Sequence, residues 1–327
     1  MYRDFAQDQE LAPHVYGVPV KRREIFGVMH LKGFVFDDTV LYSGASINNV
    51  YFNYANQKYR LDRYHEIQSK ELANSFCRFT NEVFHINYAV QDFSQGNIRP
   101  AKEMKNEIKM LQRSLTKAQY TVKAARKLQD DEVGITPLSG LSKKNNQLNR
   151  SIIWALDSAR KHIFICTPYF NPPKELLEHL EMALERNVEI TIVVGDKVAN
   201  DFYISPDKPF SPIGAIPYVY EQNLKEMVQR HKHHIDAGKL NIHLWRDGIN
   251  TYHLKGMFID RNLAVITGNN LNPRAWALDL ENGLFINDPN HLLSEKFMHE
   301  KQYILHHTTK ITSVDQLDSF DSYPEQV

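Results

Sequence analysis

The sequence has few cysteines, no excess of either charge and no long apolar run. Cys77 and Cys166 belong to no metal-spaced cluster, which argues against a zinc site and favours reduced thiols in a cytoplasmic protein. Thirty-nine basic residues balance 39 acidic ones, so the basic excess of a general nucleic-acid binder is absent. The first residues lack the apolar core of a signal peptide. No apolar run reaches the roughly 18 residues of a membrane span, so we expect any membrane role to be peripheral.

The second half of the chain alternates strand-like and helical patterns. Apolar runs at 162–170 and 188–195 have the character of buried strands, and an amphipathic helix is predicted between them at 173–187. A helix at 221–238 and a strand at 239–246 follow. This alternation predicts an α/β layered fold.

The pattern His-x-Lys-x-x-x-x-Asp occurs twice, each time around the letters HLKG in a mostly apolar run. SGASIN follows the first copy and TGNNLN the second, and a strand-like segment comes after each (62–68 and 279–287). These similarities predict an internal duplication. The stretch APHVYGVPV before the first copy corresponds to KLNIHLWR before the second. Compared with the second unit, we expect the first unit to lack its opening strand–helix–strand.

These patterns divide the chain into four predicted regions. They are a first repeat, incomplete at its start (1–99), a helical connector (100–135), a second repeat (136–312) and an acidic, mobile tail (313–327). Within 100–127, apolar residues recur at helical spacing and a basic residue recurs every four positions: Lys105, Lys109, Arg113 and Lys117. This helix either contacts an anionic membrane surface or connects the repeats with a solvated charged face.

The residue types of the doubled motif suit phosphate chemistry. Side chains two apart share one face of a strand, which pairs His30 with Lys32 and His253 with Lys255. Histidine can act as nucleophile, base or acid near neutral pH. The neighbouring lysine supplies a positive charge for a phosphate oxygen.

A duplicated motif can bring both histidines to one phosphorus across a pseudo-two-fold axis. One histidine then attacks while the other, protonated, donates to the leaving oxygen. The lysines and amide donors can neutralise the phosphate, so we expect no metal and no cofactor. A carboxylate can hold a histidine's second nitrogen. Asp37 and Asp260 are the candidates, but their odd spacing requires the chain to bend before either joins the site.

The motif pair resembles the signature of the phospholipase D superfamily, also called the HKD family, over nearly the whole chain. The resemblance implies two α/β repeats, each a mixed β-sheet flanked by helices, and a covalent phosphohistidine intermediate. After each motif that family has a Gly-Ser-x-Asn stretch. Asn270 takes the Asn position in the second repeat, and Ser46 stands there in the first. Glu281 matches the acidic residue often found beyond the second motif.

Longer stretches resemble the Gram-negative type of phosphatidylserine synthase within that superfamily: VYGVPV, FDDTVLYSGAS, DRYHEI, TPYFNPP, GDKVANDFYI, NTYHLKGM and TGNNLNPRAW. The resemblance implies that CDP-diacylglycerol and L-serine become phosphatidylserine and CMP. It places the protein in the cytoplasm, at the inner face of the cytoplasmic membrane. One motif histidine would take the phosphatidyl group, and we favour His30. Proteins of that family begin upstream of the position of Met1 and end in a basic tail.

Other residues have two interpretations each. Tyr169 ends a strand where ligands tend to bind, or it is a core aromatic. Arg274 holds the second phosphate of the CDP group, or it forms a surface ion pair. The loop 200–220 enters the lipid interface or packs onto the body. The run HKHH at 231–234 suggests a metal site, but its lysine neighbours favour a solvated helix face.

Two other functions remain open at this point. One is another HKD phosphodiesterase, either a phospholipase D-like hydrolase or a nuclease, and the zero net charge counts against the nuclease. The other is an inactive remnant that only binds lipid or a partner. The intact histidines and lysines of both motifs argue against the remnant.

Overall fold

A computed structural model describes residues 4, 6, 13–19, 27–54, 58–95, 97–123, 126–205, 207–319, 321 and 323–324. In chain order, the described strands are β1 (Tyr16–Gly17), β2 (Phe34–Phe36), β3 (Thr39–Ser43), β4 (Arg60–Leu61), β5 (Tyr64–Gln68), β6 (Gln91–Asp92), β7 (Gly134–Gly140), β8 (His162–Thr167), β9 (Glu189–Gly195), β10 (Leu240–Trp245), β11 (Thr251–Tyr252), β12 (Gly256–Ile259), β13 (Leu263–Thr267), β14 (Glu281–Asn287) and β15 (Thr308–Ile311). The described α-helices are α1 (Lys70–Thr80), α2 (Lys105–Leu115), α3 (Gln147–Ser158), α4 (Lys174–Glu185), α5 (Ile216–Arg230), α6 (Lys232–Asp236), α7 (Pro273–Ala277) and α8 (Ser294–His306).

The second half of the chain builds an eight-stranded mixed sheet, in the order β15-β10-β9-β8-β12-β13-β14-β7. β8, β9 and β10 run parallel, and the remaining neighbours pair antiparallel. Helices α3, α4 and α5 cover one face, where Ile163 and Ile165 of β8 point. Phe164 and Cys166 point to the other face, which packs against the first half of the chain. Burial on both faces explains why these strands are continuous apolar runs.

The first half contains a smaller sheet of three strands, β2-β3-β5, all antiparallel. It is equivalent to β12-β13-β14, because each set begins just after a motif histidine and each has a hairpin with an aspartate at φ 51° (Asp37 and Asp260). In the large sheet β12 pairs next with β8. Among the described residues β2 has no such further strand, so the two repeats are unequal in size, as predicted.

Several sequence predictions about element bounds were wrong. The segment APHVYGVPV (12–20) was matched to KLNIHLWR, which forms β10, but β1 within that segment pairs with β6 in a separate two-stranded sheet. The predicted connector helix is confined to α2, because Tyr120 beyond it stacks on Phe79 in the core. The helix predicted at 221–238 is two helices. α5 begins earlier, with Pro217 in its first turn, and ends at Arg230.

The acidic tail was predicted to be mobile, and its described part instead contacts the body. Leu317 is buried in the core of the large sheet. Asp318 forms an ion pair with Lys197, and the Tyr323 hydroxyl donates to Glu221. Asp318 of the tail thus faces a lysine of the body, which the sequence pattern did not reveal.

Candidate active site

Two short backbone contacts bring the two motifs together. Met29 bridges to Leu280, and the His30 amide donates to the Leu280 carbonyl at 2.9 Å. β11 pairs with β4, and the His253 amide donates to the Leu61 carbonyl at 2.9 Å. His30 therefore lies beside Glu281, which follows Leu280 in the second repeat. In the same way His253 lies beside Asp62, which follows Leu61 in the first repeat.

His30 is held by a carboxylate from the second repeat. Its Nδ1 lies 2.9 Å and 3.0 Å from the two Glu281 carboxylate oxygens. The Glu281 side chain is only 1% exposed, whereas that of His30 is 18% exposed. An Nδ1–H donated to Glu281 leaves the Nε2 lone pair on the opposite side of the ring, which suits a nucleophile.

His253 is more deeply buried and faces more groups. Its Nδ1 lies 2.7 Å from the Tyr51 hydroxyl and 3.6 Å from Asp62, and it also contacts the Lys255 ammonium. Its Nε2 lies 3.7 Å from Asp201. Burial, and then the positive charge of Lys255, lower the pKa of His253 to about 3, against the opposing effect of Asp62. The ring is therefore neutral at pH 7 in the free protein.

The two motif lysines place positive charge beside the histidines. Lys255 Nζ is fully buried, 2.8 Å from Asp62 and 3.1 Å from the Gly44 carbonyl. Burial lowers the pKa of Lys255, while Asp62 opposes the shift. Burial also lowers the pKa of Lys32 to about 8, and the charge of Lys255 adds to that shift. Two ammonium groups that affect each other in this way suit a shared phosphate group.

The turns after the motifs are equivalent in the two repeats. Ser43 Oγ accepts from the Ala45 amide at 3.0 Å, and Thr267 Oγ1 accepts from the Asn269 amide at 3.1 Å. A glycine follows each hydroxyl residue and lies against a motif lysine of the other repeat. A Cβ at Gly44 would lie 3.0 Å from Lys255 Nζ, and one at Gly268 would lie 2.9 Å from Lys32 Cγ. Both positions therefore favour glycine.

Known proteins resemble this chain closely in sequence and fold. A family model described as "Cardiolipin synthase, PLD-like domain" matches residues 152–300. The CDP-diacylglycerol–serine O-phosphatidyltransferase of Haemophilus influenzae is 45% identical over 313 residues, covering 95% of this chain and 68% of the relative. The enzyme of the same name from Escherichia coli is 42% identical, over 96% of this chain and 68% of the relative.

The chain belongs to the CDP-diacylglycerol–serine O-phosphatidyltransferase family. The crystal structure of the phosphatidylserine synthase of Haemophilus influenzae superposes on it with a TM-score of 0.94. That match has 43% sequence identity and covers 100% of this chain and 74% of the other. The predicted family and the predicted phospholipase D-like fold are both confirmed.

The structure places most of the other predicted site residues around the histidines. The Tyr169 ring meets His253 edge to face, with ring centroids 6.2 Å apart, and its hydroxyl lies 3.4 Å from Asp201. Asn270 is buried, and its side-chain oxygen has no hydrogen-bond partner among the described residues. Ser46 is exposed in the turn after β3.

Arg274 lies on the His30 side of the site, in an ion pair. Its Nε is 3.1 Å from Asp279 Oδ2, and Asp279 Oδ1 accepts from the Val28 amide at 2.9 Å. The Arg274 side chain is 38% exposed. The ion-pair interpretation therefore describes the free protein, and the guanidinium keeps donors available for a ligand.

The motif aspartates do not join the histidines, contrary to the sequence prediction for these two residues. Asp260 lies at the far end of β12 from His253, where its carboxylate accepts from the backbone amides of Arg160, Lys161 and His162. Asp37 is exposed in the equivalent turn between β2 and β3. Both occupy a left-handed turn position that aspartate tolerates, so their role is structural.

Sequence reasoning missed the carboxylates that contact His253. Asp62 follows Leu61 in LDRYHEI as Glu281 follows Leu280 in LENGLFI, so aligning the two repeats would have identified it. Asp201 lies in an irregular loop after β9, a segment that the repeat pattern does not cover. Asn282, which anchors Lys32 by accepting from its amide and donating to its carbonyl, was also missed.

The described part of the chain contains neither a membrane-spanning helix nor a ready-made metal site. No helix there combines the length and the apolar character needed to cross a membrane. Within those same residues, no group of three or more His, Cys, Asp or Glu side chains is arranged to hold a metal ion.

Proposed function

We propose that this chain transfers the phosphatidyl group of CDP-diacylglycerol to L-serine and releases CMP. The observation that carries the proposal is the reciprocal arrangement of His30 with Glu281 and His253 with Asp62, with the half-buried Lys32 and the fully buried Lys255 beside them. Relatives more than 40% identical carry the name of this activity. The proposed chemistry consists of two displacements at one phosphorus.

In the first displacement, His30 Nε2 attacks the phosphorus that bears the diacylglycerol. The bond from that phosphorus to the CMP oxygen breaks, and CMP leaves with the electron pair. The Nδ1 proton stays on His30 and is donated in a hydrogen bond to Glu281, which stabilises the positive charge that develops on the ring. Lys32 and Lys255 neutralise the phosphate oxygens as negative charge builds up. We assign the nucleophile to His30 because Asp62 is farther from its histidine and also neutralises Lys255.

The leaving group decides what His253 must do. The CMP oxygen belongs to a phosphate, which departs as a stable anion and needs no proton. The sequence predicted a protonated second histidine, but burial keeps the His253 ring neutral. We propose instead that His253 is the base of the second displacement. Its Nε2 takes the proton of the serine hydroxyl while the serine oxygen attacks phosphorus and the bond to His30 breaks. The anionic phosphatidyl group raises the basicity of the ring by its proximity.

An apolar cavity of about 220 Å³ supports a lipid substrate. Met29 and Leu280, the residues next to His30 and Glu281, lie in its wall, as does Leu115 of α2. Basic residues of α2 and the turn after it are exposed beside this cavity: Lys105, Lys109, Arg113 and Lys117. We propose that the cavity takes part of an acyl chain. The basic residues would then contact anionic lipids at the inner face of the cytoplasmic membrane.

The pH dependence of the first displacement should report Lys32. Below about pH 8 its ammonium is charged and stabilises the phosphate, and above that pH the charge is lost. We expect kcat/KM for CDP-diacylglycerol to fall as the pH rises through about 8. The exchange of labelled CMP into CDP-diacylglycerol measures this without the titrating amine of serine. A K32R variant stays charged and should move the fall to higher pH, whereas K109R on α2 should not. An unchanged alkaline limb in K32R would contradict the role of Lys32.

The experiment that tests the proposed function supplies CDP-diacylglycerol in mixed micelles, L-serine and a chelator to the purified chain. Serine-dependent release of CMP, with serine appearing in lipid, is the expected result, and an H30A control should show none. CMP release that does not depend on serine would indicate a hydrolase instead. An absence of both release and CMP exchange would contradict the proposed function.

A further inference from the structure

Asp201 and Arg60 form a charged pair at the base histidine that the proposed chemistry does not yet use. Asp201 Oδ2 lies 3.7 Å from His253 Nε2, and Asp201 Oδ1 lies 2.8 Å from an Arg60 guanidinium nitrogen. The side chains are 14% and 19% exposed. Burial raises the pKa of Asp201, against the opposing charge of Arg60. The ion pair with Arg60 offsets part of the cost of burying this carboxylate.

The pair is positioned from both repeats. β4, which contains Arg60, pairs with β11 directly before His253. The Arg60 guanidinium donates to Thr251 at 3.2 Å and lies 5.0 Å from the centre of the Tyr51 ring. Asp201 comes from the loop after β9 and is approached by the Tyr169 hydroxyl. Both charges therefore have fixed locations beside His253 Nε2.

The base form of His253 leaves two acceptors facing each other. When Nδ1 carries the ring proton, Tyr51 and Asp62 can accept it, the Lys255 ammonium donates to Asp62 and the Gly44 carbonyl instead of to Nδ1, and Nε2 presents a lone pair. Asp201 Oδ2 then faces that lone pair with no donor between the two atoms. An incoming molecule has to supply two donors, one to each atom. Serine carries them on neighbouring carbons, with its hydroxyl and ammonium roughly 3 Å apart by ordinary bond geometry.

We propose that Asp201 and Arg60 are the binding site for the zwitterionic head of the acceptor amino acid, an inference that rests on the proposed function. Asp201 accepts from the ammonium group, and the free edge of the Arg60 guanidinium binds the carboxylate. The hydroxyl then lies at His253 Nε2, oriented toward the phosphorus on His30. The pair selects amino acids over simple alcohols and over water.

Variant acceptors allow each charge to be tested separately. Ethanolamine has the ammonium and hydroxyl but no carboxylate, and 3-hydroxypropanoate has the carboxylate and hydroxyl but no ammonium. In D201N, KM for serine should rise on the order of tenfold to a hundredfold, because one charge-assisted contact is lost. KM for 3-hydroxypropanoate should stay within about twofold of the unchanged protein, since it never made that contact. R60Q should raise KM for serine by a similar factor and leave ethanolamine unaffected.

Exchange of labelled CMP into CDP-diacylglycerol separates this inference from the proposed function, because exchange uses no acceptor. D201N should retain CMP exchange while its transfer to serine falls. D157N is the matched control, since Asp157 also lies beside a histidine, 2.7 Å from His179, on the surface of α3 and α4. It should alter neither reaction.

The outcomes are distinguishable. If D201N leaves KM for serine unchanged, impairs 3-hydroxypropanoate equally, or loses CMP exchange together with serine transfer, the inference is overturned and the proposed function stands. If the unchanged protein shows neither exchange nor serine transfer, both are overturned. Selective loss of serine affinity in D201N with exchange intact would support both.

Discussion

Replacing His253 with alanine is expected to give an enzyme that releases one CMP per chain and then nearly stops. His30 and Glu281 remain, and CMP needs no proton to leave, so the first displacement proceeds. The second displacement lacks its base, and steady-state turnover should fall by roughly 10² to 10⁴. Rapid quenching of H253A with CDP-diacylglycerol and serine measures the burst and the later rate.

The H30A variant is the counterpart of H253A in this experiment. It lacks the nucleophile, so it should show no burst and a turnover loss on the order of 10⁴ or more. A burst in H30A and none in H253A would reverse the assignment of the two histidines. Equal loss of the burst in both variants would indicate that CMP departure does need an acid, contrary to the account.

Replacing Asp62 with alanine should have the largest effect on stability. Asp62 and Lys255 form a fully buried pair, and the variant leaves the lysine charge unpaired. Although burial works to raise the pKa of Asp62, the charge of Lys255 and a hydrogen bond from His253 outweigh it and lower that pKa to about 2. Breaking such a pair costs about 3–5 kcal/mol of unfolding free energy. Urea unfolding monitored by circular dichroism measures the loss.

A double variant shows whether the loss comes from the unpaired charge. D62L/K255M removes both charges and keeps apolar volume, so it should recover most of the unfolding free energy. It should still be inactive, because the phosphate loses an ammonium and His253 loses its neighbours. If D62A unfolds at the same urea concentration as the unchanged protein, the pair carries no stability. If the double variant is as unstable as D62A, the loss of unfolding free energy comes from disrupted packing and not from the unpaired charge.

The sequence predicted the fold best where burial on both sides leaves long apolar runs. β8, β9 and β10 were predicted to within a few residues because each is a continuous apolar run of this kind. Element ends were predicted less well where tertiary contacts set them. α5 begins at Ile216, inside the predicted loop, and α2 ends at Leu115, before Tyr120 packs on Phe79 in the core.

The sequence predicted the motif histidines and lysines of the site but not the carboxylates around His253. The repeated letters HLKG identified both histidines and both lysines, since a duplicated pattern is visible in one sequence. The contacts between repeats were not predicted, because β4 and β11 are two residues long and have no periodicity. Asp62 comes next to His253 through those contacts, and Asp201 approaches it from a loop. The motif aspartates were predicted to join the site, which was wrong, because sequence spacing does not show which end of a strand a residue occupies.

The most direct test of the central claim is to locate the covalent intermediate. H253A, mixed with CDP-diacylglycerol and digested under mildly alkaline conditions, would be analysed by tandem mass spectrometry for a phosphatidyl group on a histidine. The account predicts a phosphatidyl adduct on His30, formed in step with the release of one CMP. A burst of CMP without any adduct, or an adduct on another residue, would contradict it.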